Sequence, residues 1–78
     1  MATLRLFASI REAAGTGSVT IDAATVDELV AAATDKFGSS FAELVPVCRV
    51  WVNGEQAVGS QQIRPTDEVA LLPPVSGG

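Results

Sequence analysis

The carboxyl terminus is the part of this sequence whose residues are best suited to chemistry. The chain ends in Pro73-Pro74-Val75-Ser76-Gly77-Gly78. Because two prolines remove two backbone donors and fix φ near −65°, a preceding strand cannot continue its pairing, and the tail is predicted to leave the domain. At about 3.3 Å per residue, residues 73–78 would span roughly 20 Å, enough to enter a deep cleft on another protein.

Gly77 and Gly78 suit this tail for activation of its terminal carboxylate. Without a Cβ, both can pass a constriction that would stop other residues, and the carboxylate stays sterically open. An adenylating partner could convert it to a mixed anhydride and exchange the acyl-adenylate for sulfur or an amine. The alternative is a frayed end without function, but the double proline and the apolar strand before it favour the functional interpretation.

The remaining side chains argue against catalysis by this chain itself. It has no histidine and a single cysteine, Cys48, so it lacks Ser-His and Cys-His pairs, imidazole metal ligands, a thiolate zinc cluster and an internal disulfide. Since Cys48 lies in an apolar run, we interpret it as a small buried hydrophobe and not as a reactive thiol. We predict no metal site and a reducing compartment.

Length and composition indicate one small domain. Of its 78 residues, 47% are hydrophobic, which indicates a dense core or an apolar face kept for a partner. A net charge of −4 and a pI near 4.4 argue against nucleic-acid binding. No apolar run approaches the roughly 20 residues that span a bilayer, so we expect a cytoplasmic protein with no membrane partner. The five basic residues are scattered: Arg5, Arg11, Lys36, Arg49 and Arg64.

Alternation and turn signals predict the elements that carry the tail. In order, they are a strand at Thr3–Ser9, a helical turn at Ile10–Gly15, a strand at Ser18–Asp22, a helix from Thr25 to Gly38, a strand at Cys48–Val52, a short strand at Glu55–Val58 and a last strand at Asp67–Leu72. In the first strand, Leu4, Leu6 and Ala8 are predicted to face inward and Phe7 outward.

The helix and the hairpin have the clearest local signals. Thr25 and Glu28 predict a capping box, and Gly38 a helix end. Asn53-Gly54 predicts a type I′ turn. The predicted apolar stripe of the helix consists of Val26, Leu29, Val30, Ala33 and Phe37. Residues 39–46 fit either a short helix or an apolar loop.

The last strand is apolar on both faces, which predicts a central place in the sheet. Two strands, a helix across the sheet, a hairpin and a closing strand describe an α+β fold of the β-grasp, ubiquitin-like type. Three segments carry a resemblance to a known family: Leu4–Glu12, Val50–Glu55 and Asp67–Gly78. The chain resembles the molybdopterin branch of the MoaD/ThiS sulfur-carrier family, to which the Pro-Pro-Val-Ser-Gly-Gly ending is specific. Thr66 and Leu72 stand where relatives typically have Gly and an aromatic residue.

The resemblance implies a carrier subunit without activity of its own. A MoeB-like, E1-type adenylyltransferase would activate Gly78 with ATP and Mg²⁺, and a sulfur donor would convert it to a thiocarboxylate. The loaded Gly77-Gly78 end would enter a MoaE-like large subunit of molybdopterin synthase, in a heterotetramer, and give sulfur to cyclic pyranopterin monophosphate. No cofactor would be bound by this chain.

We predict a domain at residues 1–72 and a tail at residues 73–78, with the docking residues around their junction. The predicted docking residues are Phe7, Arg11, Leu72, Pro73, Pro74, Val75 and Ser76. Phe7 could instead cover the sheet and Arg11 could be a solvated charge, whereas Trp51 is interpreted as a packing residue. The functional alternatives are a sulfur carrier for thiamine or cysteine synthesis, a ubiquitin-like modifier joined to lysines through Gly78, and an interaction domain with an inert tail.

Overall fold

A computed structural model describes residues 1–74 and shows a mixed five-stranded sheet with its helices on one side. The elements are β1 (Ala2–Leu6), α1 (Ala8–Ala14), β2 (Ser18–Ile21), α2 (Val26–Phe37), α3 (Ser39–Leu44), a 3₁₀ turn (Val45–Val47), β3 (Arg49–Val52), β4 (Glu55–Gln56) and β5 (Glu68–Leu72). The strand order is β2-β1-β5-β3-β4. This arrangement confirms the predicted α+β, β-grasp fold.

The last strand, β5, occupies the centre of the sheet, as predicted. It pairs in parallel with β1, where Leu6 lies beside Leu71, and antiparallel with β3, where Arg49 lies beside Leu72. Val69 and Leu71 are fully buried. Because β5 has a neighbouring strand on each side, the residues just before the tail are held by backbone pairing with two strands.

The core lies between the sheet and the helices. Its buried side chains are Ala2, Leu4, Leu6, Ile10, Ile21, Val26, Leu29, Ala33, Phe41, Val52, Ile63, Val69 and Leu71. Val26, Leu29 and Ala33 come from the predicted stripe of α2, and Val30 and Phe37 of that stripe are partly buried. The period-3.6 pattern therefore identified the face of α2 that meets the sheet.

The amino terminus of α2 is capped by the protein itself. The Thr25 Oγ1 accepts a hydrogen bond from the Glu28 N–H at 3.2 Å, as expected. The Glu28 carboxylate, however, accepts from the Thr25 hydroxyl and not from the Thr25 backbone N–H of a standard capping box. The N–H groups of Val26 and Asp27 donate to the carbonyls of Gln61 and Gly59 at 3.0 and 2.9 Å. A loop distant in sequence thus satisfies donors that a helix leaves open.

The first strand is shorter than predicted. It ends at Leu6, and Ala8, expected to face inward at the end of the strand, is exposed with φ of 52° at the start of α1. The chain turns there so that the N–H of Arg11 donates to the carbonyl of Phe7 and Ile10 is buried in the core. A larger apolar side chain one turn later thus replaces Ala8 in the core.

Residues 39–46, for which the sequence allowed a helix or a loop, form α3 and the beginning of the 3₁₀ turn. Phe41 is fully buried, and its ring centroid lies 5.2 Å from that of Phe37. Pro46 lies within the 3₁₀ turn, where its missing N–H does not interrupt a long helix. Burial of Phe41 explains why this segment is helical despite its weak pattern.

The hairpin between β3 and β4 has the predicted turn. Asn53 and Gly54 have φ of 50° and 85°, as a type I′ turn requires, although β4 ends at Gln56 and does not reach Val58. The Asn53 side chain donates to Asp67 at 2.9 Å and accepts the N–H of Glu68 at 2.9 Å. These bonds attach the hairpin to the start of β5.

The turn before β5 forms without a residue at positive φ. The N–H of Asp67 donates to the carbonyl of Arg64 at 2.9 Å, and the Asp67 carboxylate accepts the N–H of Arg64 at 2.8 Å. Thr66 lies outside the positive-φ region. Thr66 can therefore replace the glycine typical of relatives without strain at this position.

Candidate partner-docking face and tail exit

The tail leaves the sheet at the carboxyl end of its central strand. Leu72 is the last residue of β5 that pairs with β3, and it is followed by the half-buried Pro73 and the exposed Pro74. The end of β1 lies on one side of this exit and the start of β3 on the other. Val75, Ser76, Gly77 and Gly78 lie outside the described residues, and their predicted roles stay predictions.

The side of the sheet away from the helices forms a continuous surface, which we call the open face. Side chains two residues apart in a strand share a face, and the inward positions of β1 and β5 are those buried in the core. The open face is made of Thr3, Arg5, Phe7, Ser18, Thr20, Arg49, Trp51, Gln56, Glu68, Ala70 and Leu72, none of which is buried.

The half of the open face next to the tail exit has an apolar centre. Ala70 lies between Arg5 of β1 and Trp51 of β3, and Leu72 lies beside Arg49. Phe7 keeps an extended backbone, with φ of −134° and ψ of 154°. The register of β1 and β5, continued by one residue, places it next to Leu72. We call Arg5, Phe7, Arg49, Trp51, Ala70 and Leu72 the tail-side patch.

The structure brings together four of the predicted docking residues. Phe7, which is 38% exposed, Leu72, Pro73 and Pro74 all lie at the tail exit. Arg11 lies elsewhere: it is one helical turn after Phe7, and its guanidinium lies over Gly17, on the β2 side of β1. The docking roles of all these residues stay predictions.

The sequence interpretation did not place Trp51 in this patch. Trp51 is half-buried and lies across from Ala70 and Gln56 on the open face. The signal was present in the alternation of β3, where Val50 and Val52 face the core and Trp51 must point the other way. This alternation predicts an exposed Trp51 only if one side of the sheet is uncovered, which the sequence did not show.

Two titratable side chains are perturbed by their surroundings. Burial raises the pKa of the Cys48 thiol, which lies next to the exit just before β3. Cys48 packs against the core, but it is only half-buried and not the buried residue that the sequence predicted. The Arg64 N–H and the Asn53 side chain lower the pKa of Asp67. Within residues 1–74, no group of three or more His, Cys, Asp or Glu is arranged for a metal ion, and no helix is long and apolar enough to cross a bilayer.

Solved structures of several carriers and modifiers are similar to this chain. SAMP1 from Haloferax volcanii is 32% identical with a TM-score of 0.90, over 99% of this chain and 98% of that one. A chain of the complex of subunits 1 and 2 of molybdopterin-converting factor from Helicobacter pylori is 27% identical with a TM-score of 0.76, over 99% and 97%. A chain of the BexX/CysO complex from Amycolatopsis orientalis is 27% identical with a TM-score of 0.81, over 100% of both.

Of the two sequence comparisons, one found a match. No curated protein matches the chain. The ThiS family model matches residues 4–78, which include all of β5, the proline pair and the terminal diglycine. With this match and with structural neighbours that are MoaD/ThiS-like carriers, the chain belongs to the ThiS family of sulfur-carrier and ubiquitin-like β-grasp proteins.

Proposed function

We propose that this chain is the sulfur-carrier small subunit of a cytoplasmic molybdopterin synthase. The observation that supports this function best is the position of the tail exit. The central strand runs directly into the proline pair at the edge of the tail-side patch, so a partner that covers the patch also receives the tail. The Pro-Pro-Val-Ser-Gly-Gly ending favours the molybdopterin branch of the family.

In this function the reacting group is the Gly78 carboxylate. Its oxygen attacks the α-phosphorus of ATP and releases pyrophosphate, which gives the acyl-adenylate. A sulfide ion then attacks the carbonyl carbon and displaces AMP, which leaves the thiocarboxylate. Because a thioacid is far more acidic than an alkyl thiol, it is an ionised, soft nucleophile at neutral pH.

Sulfur delivery regenerates the carrier. The thiocarboxylate sulfur attacks an oxygen-bearing carbon of the pterin precursor, cyclic pyranopterin monophosphate, and displaces that oxygen to form a thioester. Water then hydrolyses the thioester, which leaves the sulfur on the precursor and returns the carboxylate. Two such transfers supply the two sulfurs of the dithiolene. ATP and Mg²⁺ belong to a MoeB-like adenylyltransferase, and the acid and base groups belong to a MoaE-like large subunit. The pairing of subunits 1 and 2 in the Helicobacter pylori complex supports such an assembly.

A second candidate function is a ubiquitin-like protein modifier. The likeness to SAMP1, a small archaeal modifier protein, favours it. Both functions begin with adenylation of Gly78 and differ in the nucleophile that follows, which is sulfide for the carrier and a lysine amine for the modifier. The two are therefore distinguished by the product formed at Gly78.

The first test is sulfur loading of the full chain. The protein is incubated with ATP, Mg²⁺, an E1-like adenylyltransferase and sulfide, then alkylated and fragmented by mass spectrometry. The expected product is an alkylated thioacid that maps to Gly78 and requires ATP. Fragmentation is necessary because replacing oxygen by sulfur adds nearly the same mass as oxidising Met1, Trp51 or Cys48. A chain without Gly77 and Gly78 is the matched control.

The second test separates the two candidates. Loaded protein is mixed with a MoaE-like subunit and the pterin precursor, and dithiolene formation is followed together with reappearance of the Gly78 carboxylate. Product formation supports the molybdopterin function. Isopeptide-linked lysines without product formation would favour the modifier, and absence of any loading with several active adenylyltransferases would leave only an interaction domain with an inert tail.

A further inference from the structure

The open face contains two arginines and one carboxylate, although the chain as a whole is acidic with a net charge of −4. Glu68 lies at the end of the open face away from the tail, where β5 begins. The tail-side patch contains Arg5 and Arg49 and no carboxylate. Two of the five basic residues therefore lie beside the tail exit.

Both arginines keep their charge available to a partner. Arg5 contacts Glu68 at 3.5 Å, with the two side chains 45% and 55% exposed, and exposed pairs of this kind are weak and solvent-screened. Arg49 is exposed, and within residues 1–74 no carboxylate lies within 4 Å of its guanidinium. Within residues 1–74, neither the Arg5 nor the Arg49 guanidinium forms a strong ion pair with a carboxylate of the same chain.

The two arginines lie on opposite sides of the central strand. Arg5 is the neighbour of Ala70 in β1, and Arg49 is the neighbour of Leu72 in β3. Ideal strand spacings put their Cα atoms about 12 Å apart, with the apolar side chains of β5 between them. The patch therefore combines an apolar centre with a positive charge on each side.

We propose that the tail-side patch recognises a partner protein whose own apolar contact area is flanked by carboxylates that pair with Arg5 and Arg49. Such complementarity selects the partner and accelerates its encounter with the tail. The inference rests on one part of the proposed function, namely that the tail is delivered to a protein partner. That part is common to the carrier and the modifier.

A second copy of the chain fits this patch less well. The acidic residues Asp27 and Glu28 lie on α2, whose apolar stripe faces the core. The exposed large apolar side chains within residues 1–74 are Met1, Phe7, Val47 and Val58, none of them in α2. Val58 does lie near the helix carboxylates, because the carbonyl of the adjacent Gly59 accepts the Asp27 N–H. A symmetric dimer through the patch, however, would place Arg5 and Arg49 of one copy against the same arginines of the other, and like charges in contact disfavour association.

The test measures association of the full-length chain with its adenylyltransferase by stopped flow at 25 to 500 mM NaCl. The variant R5Q/R49Q removes both charges of the patch. The control variant K36Q/R64Q removes two charges outside it, at the end of α2 and in the turn before β5, and has the same net charge. Circular dichroism is used to check that both variants are folded.

We expect R5Q/R49Q to slow association on the order of ten-fold at 25 mM NaCl and to flatten its salt dependence, while K36Q/R64Q changes the rate less than two-fold. At 500 mM NaCl the rates should converge, since charges are screened over about 4 Å. Equal effects of the two double variants would overturn the inference and leave the function intact.

The remaining outcomes are also decisive. If the wild-type chain takes up sulfur at Gly78 but its association is independent of salt, the carrier function stands and the inference is wrong. If it binds neither the adenylyltransferase nor a MoaE-like subunit, both are wrong. If sedimentation shows a wild-type dimer that R5Q/R49Q lacks, the arginines serve a second copy and not a separate partner.

Discussion

The three phenylalanines of this chain have different surroundings, and replacing each by alanine tests the placement of both the core and the docking face. Phe41 is fully buried, Phe37 is partly buried against it, and Phe7 is 38% exposed beside the tail exit. We expect Phe41→Ala to destabilise the domain most and Phe7→Ala to affect partner binding most.

The magnitudes follow from burial. Removing a fully buried phenylalanine costs about 3 to 5 kcal/mol, through lost transfer free energy and the cavity that remains. A domain of 78 residues has a free energy of unfolding of about 4 to 12 kcal/mol, so this substitution removes a large fraction of it. At about 4 to 8 °C per kcal/mol for a domain of this size, Tm should fall by at least 12 °C. For Phe37→Ala we expect about 1 to 2 kcal/mol, and for Phe7→Ala less than about 1 kcal/mol.

Urea unfolding followed by circular dichroism measures the free energy of unfolding of each of the three variants. Binding to the adenylyltransferase is measured separately, at a temperature where all variants are folded. Phe7→Ala should weaken binding and keep stability, and Phe41→Ala should do the reverse. If Phe41→Ala destabilised the protein no more than Phe7→Ala, α3 would not pack as described. If Phe7→Ala bound like wild type, Phe7 would leave the docking patch.

Three further predictions concern other parts of the chain. The hydrogen bonds from Arg64 and Asn53 lower the pKa of Asp67 below the ordinary 3.8. The contribution of the Asp67 carboxylate to stability should therefore be complete above pH 3.8 and lost as the pH falls through the folded pKa. Urea midpoints should fall less steeply below pH 4 in Asp67→Asn than in wild type. Because burial raises the pKa of Cys48, iodoacetamide should alkylate it at pH 7 more slowly in the folded protein than in urea, and equal rates would show an accessible thiol. A Cβ on Gly59 would lie 2.6 Å from the Cγ of Asp27, so Gly59→Ala should cost about 1 kcal/mol or more, and much of that loss should be absent when Asp27→Ala is the background in the same denaturation assay.

Local signals were sufficient for most of the elements. The apolar run of β5, the cap of α2 at Thr25 and the positive φ of Asn53-Gly54 depend on neighbouring residues only, and the structure confirms each of them. Ala8 shows where such signals fail. Its alternation continued that of Leu4 and Leu6, but burial of Ile10 determined where the strand ended.

The structure of residues 39–46 was left open by the sequence for a related reason. Its helical pattern was too short to distinguish from a loop, and the helix forms because Phe41 completes a core built from distant strands. Part of the candidate site was predicted from local features. Phe7 was identified from its outward position in the first strand, and Leu72 and the proline pair from their places beside the tail, whereas Trp51, Arg5 and Arg49 were not identified.

The sequence by itself determined the chemistry proposed for the terminus and the strand that leads to it. The absence of histidine, the proline pair and the terminal diglycine are properties of residue type, and they point to an activated carboxylate without any knowledge of the fold. The tertiary structure alone decided what surrounds the exit. Which strands lie beside β5, and which side of the sheet the helices leave uncovered, depend on pairing and burial between segments far apart in the chain, so only the folded protein brings Arg5, Phe7, Arg49 and Trp51 to one surface beside the tail.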